Sequence, residues 1–138
     1  MKPKFQQLYM DWALRAAELS HAKRLKVGAV VVKDDTVISY GYNGMPAGWD
    51  NNCEETKADG TLVTRPEVLH AESNAIAKLA KSHNSGLGAD LFITHSPCIH
   101  CAKLIHQSGI SRVFFGTNYR DDDGIKFLKN SGIEVSQL

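Results

Sequence analysis

Two strand-forming runs joined by a two-residue connection constrain the fold of this chain more than any other feature. The runs VGAVVVK (residues 27–33) and TVISYGYN (residues 36–43) are rich in β-branched and aromatic residues, which favour strands. Only Asp34 and Asp35 lie between them. A connection this short suits a tight hairpin, so the sequence predicts that the sheet begins with an antiparallel pair of strands.

Helical and strand-like segments then alternate along most of the chain. The three- and four-residue spacing of apolar side chains predicts an N-terminal helix over about residues 4–19, with one face packed on the sheet. That face comprises Phe5, Leu8, Tyr9, Trp12, Ala16 and Leu19. The later helices and strands are predicted to alternate, with helices over about residues 70–81, 97–108 and 121–132 and strands over residues 90–95, 112–117 and 133–138.

This order of elements predicts an α/β protein. A hairpin followed by strand–helix–strand crossovers gives a three-layer α/β/α architecture around a mixed sheet of about five strands. We expect residues 1–138 to form a single domain, because a chain of 138 residues with 43% hydrophobic content can bury one core. Residues 44–69 interrupt the pattern with three glycines and two prolines, and this long connection is predicted to be a binding loop.

Charge and hydropathy narrow the possible function classes. Sixteen basic and fifteen acidic residues leave a formal charge of +1, without the extended basic face of proteins that bind DNA or RNA. A small-molecule substrate is therefore favoured over nucleic acid. No run approaches the ~20 apolar residues of a membrane span, and the N-terminus lacks the apolar core of a signal peptide. We expect a cytoplasmic protein with no membrane partner.

Two short motifs contain residues of the types that bind metal ions. Cys98 and Cys101 form a C-x-x-C that Pro97 places in the first turn of a predicted helix, where unpaired N–H groups favour thiolates. His70 occupies the matching position at the start of another predicted helix. If the two helix starts converge at one edge of the sheet, these three side chains supply ligands suited to one Zn2+ and leave a fourth corner open for water.

Glu72 lies two residues after His70 and has a different predicted role. Two thiolates offset the charge of the ion and weaken it as a Lewis acid, so a base beside the open corner becomes valuable. Glu72 is placed to take a proton from the water and to pass it to the substrate. This predicts a catalytic carboxylate and not a metal ligand.

Two other interpretations of the cysteines remain open. Cys98 and Cys101 match the redox pair of thioredoxin-like oxidoreductases, although this leaves His70 and Glu72 without a role. Alternatively, a fourth protein ligand would make the zinc structural and the protein a binding module. The residues considered for that fourth position are Cys53, His95, His100 and His106.

The two motifs together resemble a known signature. HAE at residues 70–72, followed after 24 residues by PCIHC at residues 97–101, is similar to the H-x-E and P-C-x-x-C pattern of the zinc nucleoside and nucleotide deaminases. GYNGMPAG at residues 41–48 and HAESNAI at residues 70–76 narrow the resemblance to the deoxycytidylate (dCMP) deaminases. The resemblance implies the cytidine-deaminase fold and the conversion of dCMP to dUMP and ammonia, as a step towards thymidylate.

The resemblance also implies how the base is held and attacked. Water activated by zinc attacks C4 of cytosine, while Glu72 protonates N3 and later the leaving amine. The N–H of Ala71 and the carbonyl of Ser96 hold O2 and the amino group of the base. The substrates considered besides dCMP are dCTP, free nucleosides such as cytidine, and tRNA adenosine.

Further residues are implied to bind the sugar and the phosphate. Ser20 and Arg24 match a pair that holds the 5′-phosphate just before the first strand, and a guanidinium fork suits a phosphate dianion. Asn43 matches a residue that bonds the sugar hydroxyl. Tyr119 matches an aromatic residue that closes on the base and the phosphate.

Regulation is implied at the GYNGMPAG loop. In many family members dCTP activates and dTTP inhibits at such a site, which lies at a subunit interface of a hexamer. The backbone amides of a Gly-rich turn suit a triphosphate, with Mg2+ partly neutralising its charge. The corresponding residues here are Gly44, Pro46, Gly48 and Asp50.

Overall fold

The computed structural model describes residues 1–119 and 121–138. Among these residues, no helix combines the length and the apolar character needed to cross a membrane. The elements in chain order are α1 (Pro3–Ala17), β1 (Gly28–Lys33), β2 (Thr36–Tyr42), β3 (Glu54–Thr56), β4 (Leu62–Thr64), α2 (Ala71–Ala80), β5 (Asp90–His95), α3 (Ile99–Gln107), β6 (Arg112–Thr117), α4 (Asp123–Asn130) and β7 (Glu134–Gln137).

The predicted hairpin at the start of the sheet is confirmed. β1 and β2 pair antiparallel, with one shift of register between Val31 and Val32. Asp34 and Asp35 between them have φ angles of +50° and +57°, the left-handed conformation of both central residues in a type I′ turn. Aspartate adopts this conformation more readily than most residues with a side chain, which explains why this turn needs no glycine.

The sheet continues from the hairpin with mixed strand directions. β1 pairs antiparallel with β5, and β5, β6 and β7 run parallel, so the strand order is β2-β1-β5-β6-β7. Parallel neighbours need a crossover connection, and α3 and α4 provide it. The predicted five-stranded mixed sheet is therefore confirmed. Because β5 and β6 are parallel, their carboxyl ends meet at one edge of the sheet.

Helices cover both faces of this sheet. Leu91 and Ile93 of β5 join an apolar cluster under α2, α3 and α4, whereas Phe92 between them joins a second cluster under α1. Phe92 is fully buried between Tyr9 and Phe114, with ring centroids 5.5 Å and 4.6 Å away. Burial of such a side chain contributes about 1.5–3 kcal/mol to stability. The predicted α/β/α layering is confirmed.

The face that α1 turns towards the sheet differs from the predicted face. Three of the six predicted residues, Leu8, Trp12 and Leu19, are 45%, 50% and 47% exposed. Small residues lie against the sheet in their place, because α1 approaches β1 very closely: a Cβ on Gly28 would lie 2.0 Å from the carbonyl oxygen of Ala13. The prediction used only the spacing of apolar residues, and the close approach of the two backbones excludes large side chains from the contact.

The long connection over residues 44–69 contains a small hairpin that the sequence pattern did not predict. β3 and β4 pair antiparallel, with Glu54 opposite Thr64. Each strand is three residues long, and EET has no apolar alternation, so a strand signal is missing. Backbone hydrogen bonds between Gly44 and Leu69 tie the two ends of the connection together.

Candidate active site

Two helix starts meet at the edge of the sheet where β5 ends. His70 is the N-cap of α2 and Cys98 is the N-cap of α3, which places Cys101 in the first turn of α3. His70 Nδ1 lies 3.3 Å from Cys101 Sγ and 3.6 Å from Cys98 Sγ. The ligand atoms of the three residues all lie within 4.8 Å of one another. The two motifs thus come together as one metal centre requires.

Local packing holds the two cysteines in place. The backbone N–H of Cys101 donates to Cys98 Sγ at 3.5 Å, so the first thiol caps the helix that carries the second. α4 begins directly against this segment, since a Cβ on Gly124 would lie 2.1 Å from the carbonyl oxygen of Pro97. Only glycine fits there, and the contact fixes the C-x-x-C turn against α4.

The pKa values of the two thiols are shifted in opposite directions. Hydrogen bonds from Cys101 and His70 lower the pKa of Cys98 to about 3. The same bond to Cys98, together with burial, raises the pKa of Cys101 above its ordinary value. One thiolate therefore forms readily, and the second proton leaves when a cation takes its place. Proton release of this kind accompanies metal binding by paired cysteines.

Glu72 is the buried carboxylate beside this centre. It lies in the first turn of α2 and is 4% exposed. Burial raises the pKa of Glu72 to about 7, because the charged form is poorly solvated there. A carboxyl group that titrates near neutral pH can both take up and release a proton, which general acid–base catalysis requires.

His70, Glu72 and Cys98 line a cavity of about 590 Å³, a volume in the range of small-molecule sites. Most of the residues predicted to bind the substrate line the same cavity: Arg24, Asn43, Ala71, Ser96 and Tyr119. The ring of Tyr119 stands edge-on to that of His95, with centroids 6.1 Å apart. The cavity therefore brings the metal-binding motifs together with the predicted phosphate and base contacts.

Ser20 lies behind the cavity wall. It is 4% exposed, and its hydroxyl donates to the carbonyl of Asn43 at 2.7 Å and accepts from the N–H of Ala22 at 3.1 Å. The amide of Asn43 in turn accepts from the N–H of Val27 and donates to the carbonyl of Leu25, both at 2.8 Å. Ser20 and Asn43 thus stabilise the segment that leads into β1.

The β3–β4 hairpin contributes two polar cavity residues that the motifs did not reveal. Glu54 is 5% exposed, and its Oε2 accepts from the N–H groups of Lys23 and Arg24 at 2.8 Å and 3.1 Å. Thr64 Oγ1 accepts from Arg24 Nη1 at 2.9 Å. Both residues line the cavity. The sequence signal for them is their location in the connection predicted to bind a ligand.

The other residues considered as metal ligands take no part in the centre. Within residues 1–119 and 121–138, the group able to hold a metal ion contains none of Cys53, His95, His100 and His106. His95 Nδ1 instead lies 2.9 Å from Thr94 Oγ1, and the buried Cys53 Sγ lies 3.6 Å from the carbonyl oxygen of Asn51. The described residues thus offer no fourth protein ligand that would close the centre.

The loop predicted to bind a regulatory nucleotide begins where β2 ends. Gly44 and Leu69 exchange backbone hydrogen bonds at 3.1 Å and 2.8 Å. Gly48 has a φ of +86°, a conformation that favours glycine. Asp50 accepts from the Arg65 guanidinium at 3.2 Å. The loop is therefore anchored at both of its ends.

Comparisons with known proteins agree with this geometry. Residues 3–117 match the family model described as the cytidine and deoxycytidylate deaminase zinc-binding region. The crystal structure of a dCMP deaminase from the cyanophage S-TIM5, in complex with dCMP and dUMP, is 45% identical with a TM-score of 0.93. That match covers 100% of this chain and 99% of the cyanophage chain.

Some of the named relatives are longer than this chain. The deoxycytidylate deaminase of Saccharomyces cerevisiae is 34% identical over 146 residues, which cover 100% of this chain and 46% of the yeast protein. The human deoxycytidylate deaminase is 35% identical over 127 residues, which cover 83% of this chain and 70% of the human protein. The chain thus spans about half the length of the yeast relative. The match over residues 3–117 shows that the chain belongs to the cytidine and deoxycytidylate deaminase family.

Proposed function

We propose that this protein is a zinc-dependent hydrolase that converts dCMP to dUMP and ammonia. The observation that carries the proposal is the convergence of His70, Cys98 and Cys101 beside the buried Glu72, next to a cavity that His70, Glu72, Cys98 and Arg24 line. The cyanophage relative was crystallised with both dCMP and dUMP, which supports the same substrate and product here.

The donor set fits Zn2+ on chemical grounds. One imidazole nitrogen and two sulfurs are ligand types that zinc prefers, and three protein ligands are usual in catalytic zinc sites. His70, Cys98 and Cys101 would hold the ion. Zn2+ bound there supplies Lewis acidity, which makes a water in the site easier to deprotonate.

Glu72 performs the proton transfers in this proposal. Its carboxylate takes a proton from the attacking water and delivers it to N3 of cytosine as the water oxygen bonds to C4. Glu72 then takes the proton of the new C4 hydroxyl and delivers it to the amino group, which leaves as ammonia while the C4 carbonyl of dUMP forms. Burial favours the protonated form, and a cation held by the adjacent ligands favours the carboxylate, so both forms are accessible near neutral pH.

The other cavity residues position the nucleotide. The Arg24 guanidinium pairs with the 5′-phosphate, for which its planar donor geometry is suited. Tyr119 closes on the base and the phosphate, and the N–H of Ala71 and the carbonyl of Ser96 hold O2 and the amino group. We assign Ser20 a supporting role, since its hydroxyl already bonds to backbone groups behind the wall.

A turnover assay across substrates tests the proposal. The protein is loaded with zinc, its metal content is measured, and the loss of cytosine absorbance is followed with dCMP, dCTP, cytidine and deoxycytidine. We expect the highest kcat/KM with dCMP. Absence of dCMP turnover, both with and without dCTP and Mg2+, would refute the proposal, and preference for a free nucleoside would reassign the substrate.

We extend the proposal to regulation within pyrimidine deoxynucleotide biosynthesis. In a hexamer, dCTP with Mg2+ would activate and dTTP would inhibit at the loop that contains Gly44, Pro46, Gly48 and Asp50. The positive φ of Gly48 supports a turn whose amides face a triphosphate. Sedimentation and initial rates at low dCMP, each with and without the two nucleotides, test this. A monomeric protein whose rates change with neither dCTP nor dTTP would refute this part of the proposal.

A further inference from the structure

Large apolar side chains lie on the outward face of α1, away from the sheet. Leu8, Trp12 and Leu19 are 45%, 50% and 47% exposed, and Met1, just before the helix, is 40% exposed. Single exposed apolar residues are ordinary, but a contiguous row of large ones marks an interaction site. These four residues lie outside the group that lines the cavity. Substrate binding therefore does not explain the outward face of α1.

The spacing of the apolar residues matches that of paired helices. They occur at successive intervals of four, three, four and seven residues: Met1, Phe5, Leu8, Trp12 and Leu19. An apolar residue at alternate steps of three and four keeps one seam of a helix turned towards a partner helix. Arg15 fills the one position of this pattern that is not apolar, and its aliphatic stem also suits an apolar surface. We call these six residues the α1 seam.

Exposed charges alternate in sign along one flank of the α1 seam. With 3.6 residues per turn, four charged side chains fall on this flank: Lys4, Asp11, Arg15 and Glu18. Glu18 already pairs with Arg15 at 2.8 Å, and at 66% exposure its carboxylate can accept from a second cation. When two helices pack antiparallel about a two-fold axis, the same flank of each meets with opposite ends adjacent. Lys4 of one copy then faces Glu18 of the other, so the surface is complementary to itself.

We propose that the α1 seam binds the same seam of a second copy of this chain, with the two helices antiparallel. Centred on residue 10, this register places Leu8 of one copy opposite the partner's Trp12. It also places Met1 opposite the partner's Leu19, so large apolar residues meet in both pairs. Each contact occurs twice, and an interface of this kind closes at two copies without growth into a filament.

The α1 seam differs from the surface considered for nucleotide regulation. α1 covers the face of the sheet opposite to α2, α3 and α4, and it shares no residue with the loop over residues 44–50. Pairing through the α1 seam also does not depend on the reaction proposed above. Its test therefore needs no turnover and is decided separately from the proposed function.

A lipid surface is the other class of occupant that suits an exposed apolar helix face. Helices that lie on membranes carry an excess of Lys and Arg beside that face. Here two acidic residues, Asp11 and Glu18, offset the two basic ones on the flank. Balanced charge of this kind favours a second copy of the chain over an anionic membrane.

Sedimentation of the purified protein over a range of concentrations tests the pairing. A contact of one helix from each copy is about 22 Å long, at the low end of specific interfaces, so the pair should dissociate on dilution. Between about 1 and 100 µM we expect the mean mass of the wild type to rise, and Trp12→Glu to lower it about twofold at the highest concentration. The control is Leu87→Glu, at a 68% exposed site outside α1, which should match the wild type. A mean mass that Trp12→Glu leaves unchanged, or a wild type that stays monomeric throughout, would overturn the proposal.

Charge reversal tests the antiparallel arrangement. Lys4→Glu and Glu18→Lys should each raise the dissociation constant of the pair about three- to tenfold, since the contact occurs twice. The double variant restores opposite charges, so its dissociation constant should return to within about twofold of the wild-type value. Circular dichroism checks that each variant is folded. A double variant that pairs no better than either single variant would overturn the antiparallel arrangement.

Flotation with vesicles of phosphatidylcholine and phosphatidylglycerol examines the lipid alternative. We expect the wild type to stay with the soluble fraction, because the flank of the α1 seam carries no excess of positive charge. A monomeric protein that floats with the vesicles would assign the α1 seam to a lipid surface and would overturn the proposal.

Discussion

The cavity has two halves that are held in different ways. The zinc half comprises His70, Glu72, Cys98 and Cys101 at the starts of α2 and α3, and the buried faces of these helices anchor it in the core. The half to which we assign the sugar and the phosphate of the substrate, called the sugar–phosphate half below, comprises residues 20–27, Asn43 and the β3–β4 hairpin. Its residues are held by hydrogen bonds between side chains and backbone groups of separate segments. Packing fixes the first half, and polar contacts fix the second.

This difference separates chemistry from selectivity. A half built on packed helices keeps its reacting groups in place, as proton transfer and metal binding require. When a half is built on polar contacts, exchange of a few residues can alter the substrate preference without loss of the core. If the zinc half were combined with a different sugar–phosphate half, the site would act on a different molecule, because function resides in sites and not in folds.

The largest effect should follow the loss of Glu72, and it should separate chemistry from metal binding inside the zinc half. Glu72→Ala is expected to lower kcat by about 10²- to 10⁴-fold, since proton transfer loses its carrier. Zinc content, measured by mass spectrometry, should stay at one ion per chain. Loss of zinc in this variant would show that Glu72 is a ligand, and near-normal kcat would favour a redox or structural role for the cysteines.

The next effect belongs to the sugar–phosphate half and should appear in binding. Arg24→Ala is expected to raise KM for dCMP by roughly 10- to 100-fold, since a charge-assisted contact with the phosphate is lost. KM for deoxycytidine, which lacks the phosphate, should hardly change. Steady-state kinetics with both substrates make the comparison. Equal changes in the two KM values would remove Arg24 from the phosphate site and would weaken the division between the halves.

The zinc half could be predicted from the sequence because its information is local. Residues three apart at a helix start lie on one side of the helix, and HAE and PCIHC each mark such a start. Only the convergence of the two starts depends on the fold, and the order of strands and helices permits it without requiring it. The α1 face was harder to predict, since Gly28 lets the helix approach closely enough to exclude Trp12.

The sugar–phosphate half could be predicted only in part, for a physical reason. Glu54 bonds to the N–H of Lys23, which lies 31 residues earlier in the chain. A contact with a backbone N–H needs no particular residue type at the donor, so the sequence carries no pair signal for it. Ser20 is the converse case: the family resemblance implies a phosphate contact for it, and the hydrogen bond of its hydroxyl to the carbonyl of Asn43 is a contact that the sequence does not reveal.

A smaller effect should follow the loss of the Thr64 hydroxyl, which accepts a hydrogen bond from Arg24. This change tests whether polar contacts hold the sugar–phosphate half in place. Thr64→Val keeps the shape of the side chain and removes the acceptor of Arg24 Nη1. We expect KM for dCMP to rise about threefold with kcat unchanged, because the guanidinium must be ordered by the substrate itself. Thr56→Val, an exposed residue of β3, is the matched control and should leave KM unaltered. A change in kcat would instead show that the β3–β4 hairpin affects the chemical step.

The smallest effect on turnover should come from the opposite face of the sheet, which belongs to neither half. Tyr9 packs on Phe92, and its hydroxyl bonds to Asp35 in the β1–β2 turn. That bond raises the pKa of Tyr9 to about 12. Because the folded-state pKa lies above the unfolded value of 10.0, the stabilisation is complete below that pH and is lost as the pH rises through about 12.

Tyr9→Phe keeps the ring and removes this bond. We expect the free energy of unfolding to fall by about 1 kcal/mol at neutral pH, a modest value because the hydroxyl lies near solvent. The difference between the two proteins should shrink above about pH 10, and urea unfolding at a series of pH values measures it. The kcat/KM for dCMP should stay at the wild-type value. A loss of activity at unchanged stability would show that α1 acts on the cavity through the sheet, and the division into two independent halves would then have to include a third region.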